Sequence, residues 1–143
     1  MDNYLLLFTN IMLLYFAIAD LRHKEISIYP LMSFVFIVFL FKLSNFNDVN
    51  MLLFIIIILL FAIAYYREDN LIYGFGMGDY LVISIILFVF GMNYLFLIFL
   101  IFLFIFILLL LLFEYAYNKK HIAFMPFIFL SFNLTLMVYF LIV

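Results

Sequence analysis

A carboxylate follows a cluster of glycines near the middle of the chain. Three of the four glycines in the 143 residues lie at alternating positions just before Asp79, and a long apolar run begins at Tyr80. Glycine leaves the backbone free to adopt conformations that other residues avoid, and an acid is costly to hold at the mouth of an apolar segment. The stretch Gly74-Phe75-Gly76-Met77-Gly78-Asp79 therefore predicts a functional acid at the start of a membrane segment.

A second acid, Asp20, closes the first apolar run of the chain in a similar setting. Two carboxylates that share a water can hydrolyse a peptide bond: the ionised one takes a proton from the water, and the protonated one polarises the carbonyl. The chain has no cysteine, no recognisable spacing of serine, histidine and acid, and no phosphate loop with a lysine. Asp20 and Asp79 are thus the predicted catalytic pair, and we expect neither a metal nor a cofactor.

The composition indicates a membrane protein. The chain is 73% hydrophobic and 10% charged, with a mean hydropathy of +1.47. A soluble domain of this size with so apolar a surface would aggregate, so the lipid bilayer is the expected surroundings. The formal net charge of −2 gives no indication of a nucleic-acid partner. We therefore predict an all-α integral membrane bundle that forms a single domain over residues 1-143.

Six apolar runs predict six transmembrane helices, although several are shorter than the roughly 20 residues that a crossing usually takes. The runs are Tyr4–Ala19, Ile28–Phe41, Met51–Tyr66, Tyr80–Met92, Tyr94–Phe113 and Ile122–Val143. A single helix over residues 80–113 would be about 50 Å long, so Gly91-Met92-Asn93 is read as a break. Pro126 either kinks the last helix or marks its true start.

The basic residues predict the orientation in the membrane. Five of the six fall in the loops after the first, third and fifth spans, namely Arg22, Lys24, Arg67, Lys119 and Lys120. The positive-inside rule assigns these loops to the cytoplasm. Asp20 and Asp79 both adjoin such loops, which places the candidate site on the cytoplasmic side.

Three segments of the chain resemble, in order, the motifs of the type IV prepilin peptidases. Gly76-Met77-Gly78-Asp79 is similar to the Gly-x-Gly-Asp motif of that family. Asp20-Leu21-Arg22-His23-Lys24-Glu25-Ile26 resembles the family's first catalytic segment, an acid at a helix end followed by a short basic loop and an isoleucine. His121-Ile122-Ala123-Phe124-Met125-Pro126-Phe127 looks like the motif of its last helix.

The resemblance implies an aspartyl endopeptidase of the bacterial cytoplasmic (inner) membrane. Such enzymes remove the short basic leader of a membrane-anchored prepilin or pseudopilin precursor at the cytoplasmic face, next to the precursor's apolar helix. By this resemblance Asp20 and Asp79 are the catalytic acids, and Gly76 and Gly78 shape a loop that lets the substrate backbone approach closely.

Three differences separate this chain from the family pattern. Leu81 stands where the family often has a lysine two residues after the second aspartate, and Ser27 stands where it usually has a proline. The N-terminal methyltransferase region with its cysteine-rich loop, frequent in the family, has no counterpart here, so we expect no N-methyltransferase activity. These differences leave the substrate range open.

Other functions stay open on the sequence alone. The presenilin-like intramembrane proteases also use Gly-x-Gly-Asp, but they have Tyr-Asp and Pro-Ala-Leu motifs where this chain has Ala19-Asp20 and Met125-Pro126-Phe127. A small transporter would carry more polar residues within its spans. A non-catalytic scaffold of a pilus assembly complex would tolerate replacement of both aspartates.

Overall fold

Six α-helices form the described parts of this computed structural model, which are residues 2–23, 28–43, 48–66, 77–91, 93–117 and 123–142. In chain order they are α1 (Asn3–His23), α2 (Ile28–Lys42), α3 (Asp48–Tyr66), α4 (Met77–Phe90), α5 (Tyr94–Tyr117) and α6 (Met125–Ile142). No strand occurs in these ranges, so the all-α prediction is confirmed. Each helix begins and ends within a few residues of its predicted run.

Three helical segments among the described residues are long and apolar enough to cross a membrane, judged by length and composition. They are Asn3–His23, Tyr94–Phe113 and Met125–Ile142. Large apolar side chains are exposed on the outer faces of these helices, among them Leu7, Leu97 and Leu141. These features suggest a membrane protein. The stretches Tyr29–Lys42 and Gly78–Phe90 are apolar but shorter, so a crossing by every helix stays a prediction.

A tight turn at Gly91 separates α4 from α5, as the sequence predicts. Gly91 has a φ of 72°, in the left-handed region that glycine adopts without strain, and its N–H donates to Leu87 O at 2.8 Å. The side-chain Nδ2 of Asn93 donates to Phe90 O at 3.2 Å, and the backbone Asn93 O accepts from Phe96 N at 3.1 Å. Asn93 therefore closes one helix and opens the next. Because the connection is so short and the two helices pack together, α4 and α5 are antiparallel neighbours.

Helix α4 lies at the centre of the bundle. It packs against α1, α2, α3 and α5, and α6 packs against α1 and α5. Most of its side chains are buried, as the apolar sequence after Asp79 allows. The buried apolar residues are Leu81, Val82, Ile85, Ile86, Phe88, Val89 and Phe90. The buried side chains of α4 therefore form the middle of the apolar core.

A pair of asparagine side chains joins α1 to α6. The amides of Asn10 and Asn133 exchange hydrogen bonds, with Asn10 Nδ2 to Asn133 Oδ1 at 3.0 Å and Asn133 Nδ2 to Asn10 Oδ1 at 3.1 Å. The buried hydroxyls of Thr9, Ser131 and Thr135 donate to backbone carbonyls of their own helices. Because an amide without a partner is unfavourable in an apolar medium, the Asn10–Asn133 pair fixes how α1 and α6 align.

Candidate active site

Asp20 lies on the buried face of α1. The buried residues of this helix recur every three or four positions, as one side of a helix requires: Leu5, Leu6, Thr9, Leu13, Phe16, Ala17 and Asp20. Asp20 continues this series into the last turn and is only 9% exposed. Its neighbours Leu21, Arg22 and His23 are exposed instead. The carboxylate is therefore directed into the bundle by helical periodicity.

The partner of the Asp20 carboxylate is the beginning of α6. The N–H of Met125 donates to Asp20 Oδ2 at 3.0 Å in a buried position. Met125 is the first residue of α6, and the first N–H groups of a helix have no partner within the helix. Asp20 thus provides a hydrogen-bond acceptor for the first N–H of a helix that belongs to another part of the chain.

Pro126 explains why α6 begins here. It is the second residue of α6, where the missing N–H of proline leaves no hydrogen bond unmade. Phe124 O accepts from Phe127 N at 3.0 Å and from Ile128 N at 3.4 Å, which starts the helical hydrogen bonding. Of the two outcomes predicted for Pro126, the structure therefore has the one in which it marks the start of the last helix.

Asp79 is the third residue of α4 and is also buried, at 6% exposed. It lies in the first turn, where a helix dipole favours a carboxylate. Val82 and Ile86, which share its side of the helix at intervals of three and four residues, are fully buried. As with Asp20, the position of the acid in the helical repeat accounts for its burial.

The packing of the helices brings the two acids to the same end of the bundle. Phe90 stacks on Phe132 with ring centroids 5.3 Å apart, which sets the level of α4 relative to α6. We count from these two rings toward the start of each helix, at about 1.5 Å per residue. On this count Asp79 lies about 16 Å from Phe90 along α4, and Met125 lies about 10 Å from Phe132 along α6. Helices α4 and α5 pack together, as do α5 and α6. Because a short connection joins each of these pairs, the chain reverses direction twice, and α4 and α6 run in the same direction. Because Asp20 binds Met125 and α1 packs against α4, both acids lie at this end.

Of the two glycines predicted to contact substrate, the structure describes one. Gly78 is the second residue of α4 and is half-buried, and Gly76 lies outside the described residues. Leu81, which the resemblance in sequence sets against a lysine of the prepilin peptidases, is fully buried among apolar neighbours. A lysine at this position would need a partner or a path to water.

The sequence did not indicate the contact between Asp20 and Met125. A backbone N–H leaves no trace in the residue type, and Pro126 signals only that a helix starts nearby. Within the described residues, no group of three His, Cys, Asp or Glu side chains comes together as a metal site would require.

Comparison of the chain with protein-family models, with curated proteins and with solved structures gives no match. The arrangement itself can be described in chemical terms. Two buried carboxylates lie at one end of an apolar helical bundle, one at the end of α1 and the other at the start of α4. A pair of this kind can exchange protons with a water and a substrate carbonyl.

We expect Asp20→Ala to lower the free energy of unfolding by about 1–2 kcal/mol, because Met125 N–H loses its acceptor in a buried position. Asp20→Asn should have a smaller effect, since its amide oxygen can still accept. Unfolding of purified protein in detergent micelles measures the difference.

The matched control is Asp2→Ala. Asp2 Oδ1 accepts from Tyr4 N at 3.0 Å at the exposed start of α1, so it is a helix cap that water can replace. Its loss should destabilise the protein less than the loss of Asp20. Equal effects of the two alanine variants would contradict a special role for the buried contact.

Proposed function

We propose that this protein is a membrane aspartyl endopeptidase of the prepilin type, with Asp20 and Asp79 as its catalytic acids. The observation that carries the proposal is the burial of both carboxylates at the same end of an apolar bundle, on helices α1 and α4 that pack together. Burial of an acid in such surroundings costs free energy, so a buried acid in a membrane protein is usually functional. The resemblance of the segments around Asp20, Asp79 and Pro126 to the motifs of the prepilin peptidases adds the reaction type.

Peptide hydrolysis by this pair needs no covalent intermediate. The ionised carboxylate takes a proton from a water as the water oxygen bonds to the scissile carbonyl carbon. The protonated carboxyl donates its proton to the carbonyl oxygen, which gives a neutral diol. Return of a proton to the amide nitrogen then lets the carbon–nitrogen bond break, and the products are a carboxylic acid and an amine.

The position of the site suits a cut close to the membrane surface. Arg22 and His23 are exposed in the last turn of α1, where basic side chains reach the headgroups. Asp20 is a few residues nearer the apolar part of the bundle. The proposed substrate is a membrane-anchored precursor with a short leader, a small residue before the cut and an apolar helix after it. Gly78 presents no side chain beside Asp79 and would let an extended substrate backbone approach.

The proposal includes a full topology. All six helices cross the cytoplasmic membrane of a bacterium, both ends of the chain face outward, and the Asp20–Asp79 end faces the cytoplasm. The excess of basic residues in the sequence after the first, third and fifth predicted spans supports this orientation. The short helices α2 and α4 would cross where the bilayer is thinned or with the help of adjoining residues.

Labelling of single cysteines tests the topology, and the chain has no cysteine of its own. Asn3→Cys, His23→Cys and Tyr94→Cys introduce thiols at exposed positions. In intact spheroplasts a membrane-impermeant maleimide should label positions 3 and 94, and position 23 should react only after the membrane is opened.

The Tyr94→Cys variant separates six crossings from three. If α1, α5 and α6 alone cross, position 94 lies on the same side of the membrane as position 23. Co-labelling of positions 94 and 23 from one side would therefore contradict the proposed topology. Labelling of position 23 but not of position 3 in intact spheroplasts would show the opposite orientation.

Loss of either acid should abolish cleavage. We expect Asp20→Asn and Asp79→Asn each to lower the rate of leader removal by about 10²–10⁴-fold, the range for loss of a general acid or base. The measurement is co-expression with a prepilin-like precursor, followed by gel shift and N-terminal sequencing of the product.

Asp2→Asn is the matched control, because it makes the same change at an exposed acid at the opposite end of α1. It should cleave like the wild type, and all four proteins must reach the membrane at equal levels. Cleavage that persists in both Asp20→Asn and Asp79→Asn would contradict the peptidase proposal and favour a scaffold.

A further inference from the structure

One side of α4 is covered less than the others. The residues on this side are half-buried, whereas those between them are buried; they are Tyr80, Ile83, Ser84 and Leu87. Their spacing of three and four residues places them together along the helix. We call these four residues the open face of α4.

The open face lies between α3 and α5. The ring of Phe88 contacts Phe54 of α3, with centroids 6.3 Å apart, and the ring of Phe90 contacts Phe99 of α5, with centroids 6.4 Å apart. At about 100° per residue, the open face falls in the sector between Phe88 and Phe90. Helices α3 and α5 both pack against α4, but in the described ranges they make little contact with each other. A groove therefore runs between α3 and α5, with the open face as its floor; we call it the α3–α5 groove.

The groove leads to the candidate active site. On the opposite side of α4, Val82, Ile85 and Val89 are fully buried, so a molecule outside the bundle meets α4 at the open face. Asp79 precedes Ile83 by four residues, and residues at this interval lie one turn apart on the same side of a helix. The α3–α5 groove thus ends at the turn of α4 that carries Asp79.

The walls and floor of the groove suit an apolar segment at bilayer depth. Residues 49–66 of α3 and 94–113 of α5 contain no charged side chain. The hydroxyl of Ser84 on the floor donates to Tyr80 O of its own helix at 2.8 Å, so it needs no water. Ser84 is also small, and small side chains let another helix approach closely in a membrane.

We propose that the α3–α5 groove receives the apolar helix of the membrane-anchored precursor. This inference rests on the proposed peptidase function. The apolar helix of the precursor begins just after the cut, so it runs parallel to α4 from the end of the bundle that carries the acids. Because both helices rise by about 1.5 Å per residue, Ser84 lies beside the precursor residue that is about five positions after the cut. The precursor helix enters sideways and never leaves the hydrocarbon.

Disulfide linkage tests the docking without any need for cleavage. The chain has no cysteine, so Ser84→Cys introduces a single thiol. Asp20→Asn in the same protein keeps the precursor intact. The precursor carries one cysteine about five residues after the cut, the membranes are oxidised, and the linked product is identified by gel shift and mass spectrometry. We expect linkage with this precursor and its loss when the cysteine lies about ten residues further along, because a disulfide needs Cα atoms within about 7 Å.

Phe36→Cys is the matched control. Phe36 is 61% exposed on α2, and it lies about 12 Å from the start of its helix, as Ser84 lies about 10 Å from the start of α4. Random encounters in the bilayer therefore favour Phe36→Cys over the half-buried Ser84→Cys. Equal linkage of the precursor to both, or no linkage to Ser84→Cys, would overturn the proposal. Linkage of two Ser84→Cys chains to each other in place of the precursor would also overturn it and assign the groove to a second copy.

Filling the groove tests its part in cleavage. We expect Ser84→Phe to raise the KM for the anchored precursor about tenfold with kcat unchanged, because the ring occupies the place of the precursor helix. A short peptide that spans the cut but lacks the apolar helix should be cleaved as by the wild type, which also shows that the variant is folded. Ser84→Ala should behave like the wild type with both substrates. An equal effect of Ser84→Phe on both substrates, or none on either, would contradict docking in the groove.

The two experiments separate this inference from the proposed function. Linkage of the precursor to Ser84→Cys, without cleavage of any precursor by the wild type, would refute the peptidase and leave the docking groove standing. Cleavage by the wild type without linkage to Ser84→Cys would refute the docking groove and leave the peptidase standing.

Discussion

The end of a helix in an apolar environment leaves backbone N–H groups without partners, and this constraint organises the candidate site. Water can satisfy such groups at the surface of a soluble protein, but little water reaches them inside a bundle of this composition. Here the N–H of Met125 at the start of α6 is satisfied by Asp20 from the end of α1. The same bond gives a buried carboxylate a donor. Each of the two polar groups, unfavourable alone in an apolar interior, therefore has a hydrogen-bond partner.

The alignment of α1 with α6 places Asp20 opposite Met125. The reciprocal amide bonds between Asn10 and Asn133 fix the alignment of the two helices about two to three turns away from Asp20. Helix α4 is buried by neighbours on several sides and brings Asp79 to the same end. The site is therefore held by three helices that are separated in sequence but joined by hydrogen bonds and by packing.

Local signals in the sequence predict a large part of this structure. The apolar runs indicate six helices, Gly91-Met92-Asn93 indicates the break between α4 and α5, and Pro126 indicates either a kink in the last helix or its start. The glycines before Asp79 indicate that this acid is functional, and Asp20 is indicated by its place at the end of the first apolar run. These signals depend on single residues and their nearest neighbours, so they can be read without the fold.

Other features depend on contacts between distant segments, and the sequence does not reveal them. Apolar residues surround each helix on all sides, so hydropathy does not distinguish the face that packs in the bundle from the face outside it. The burial of Asp20 and Asp79 becomes evident only once neighbouring helices are in place. An asparagine in an apolar run implies a partner, but nothing in the sequence selects Asn133 for Asn10. The bond from Met125 to Asp20 involves a backbone group, which every residue but proline has.

Asp20 and Asp79 must lie close together to share a water, and cross-linking measures how close they are. A double variant, Asp20→Cys with Asp79→Cys, is treated in membranes with a short bifunctional thiol reagent, and the linked peptides are identified by mass spectrometry. The control pair is Asp2→Cys with Asp79→Cys, because Asp2 lies at the other end of α1. We expect rapid linkage of positions 20 and 79 and none of positions 2 and 79. Failure to link 20 with 79, while each thiol still reacts with a monofunctional reagent, would contradict this expectation.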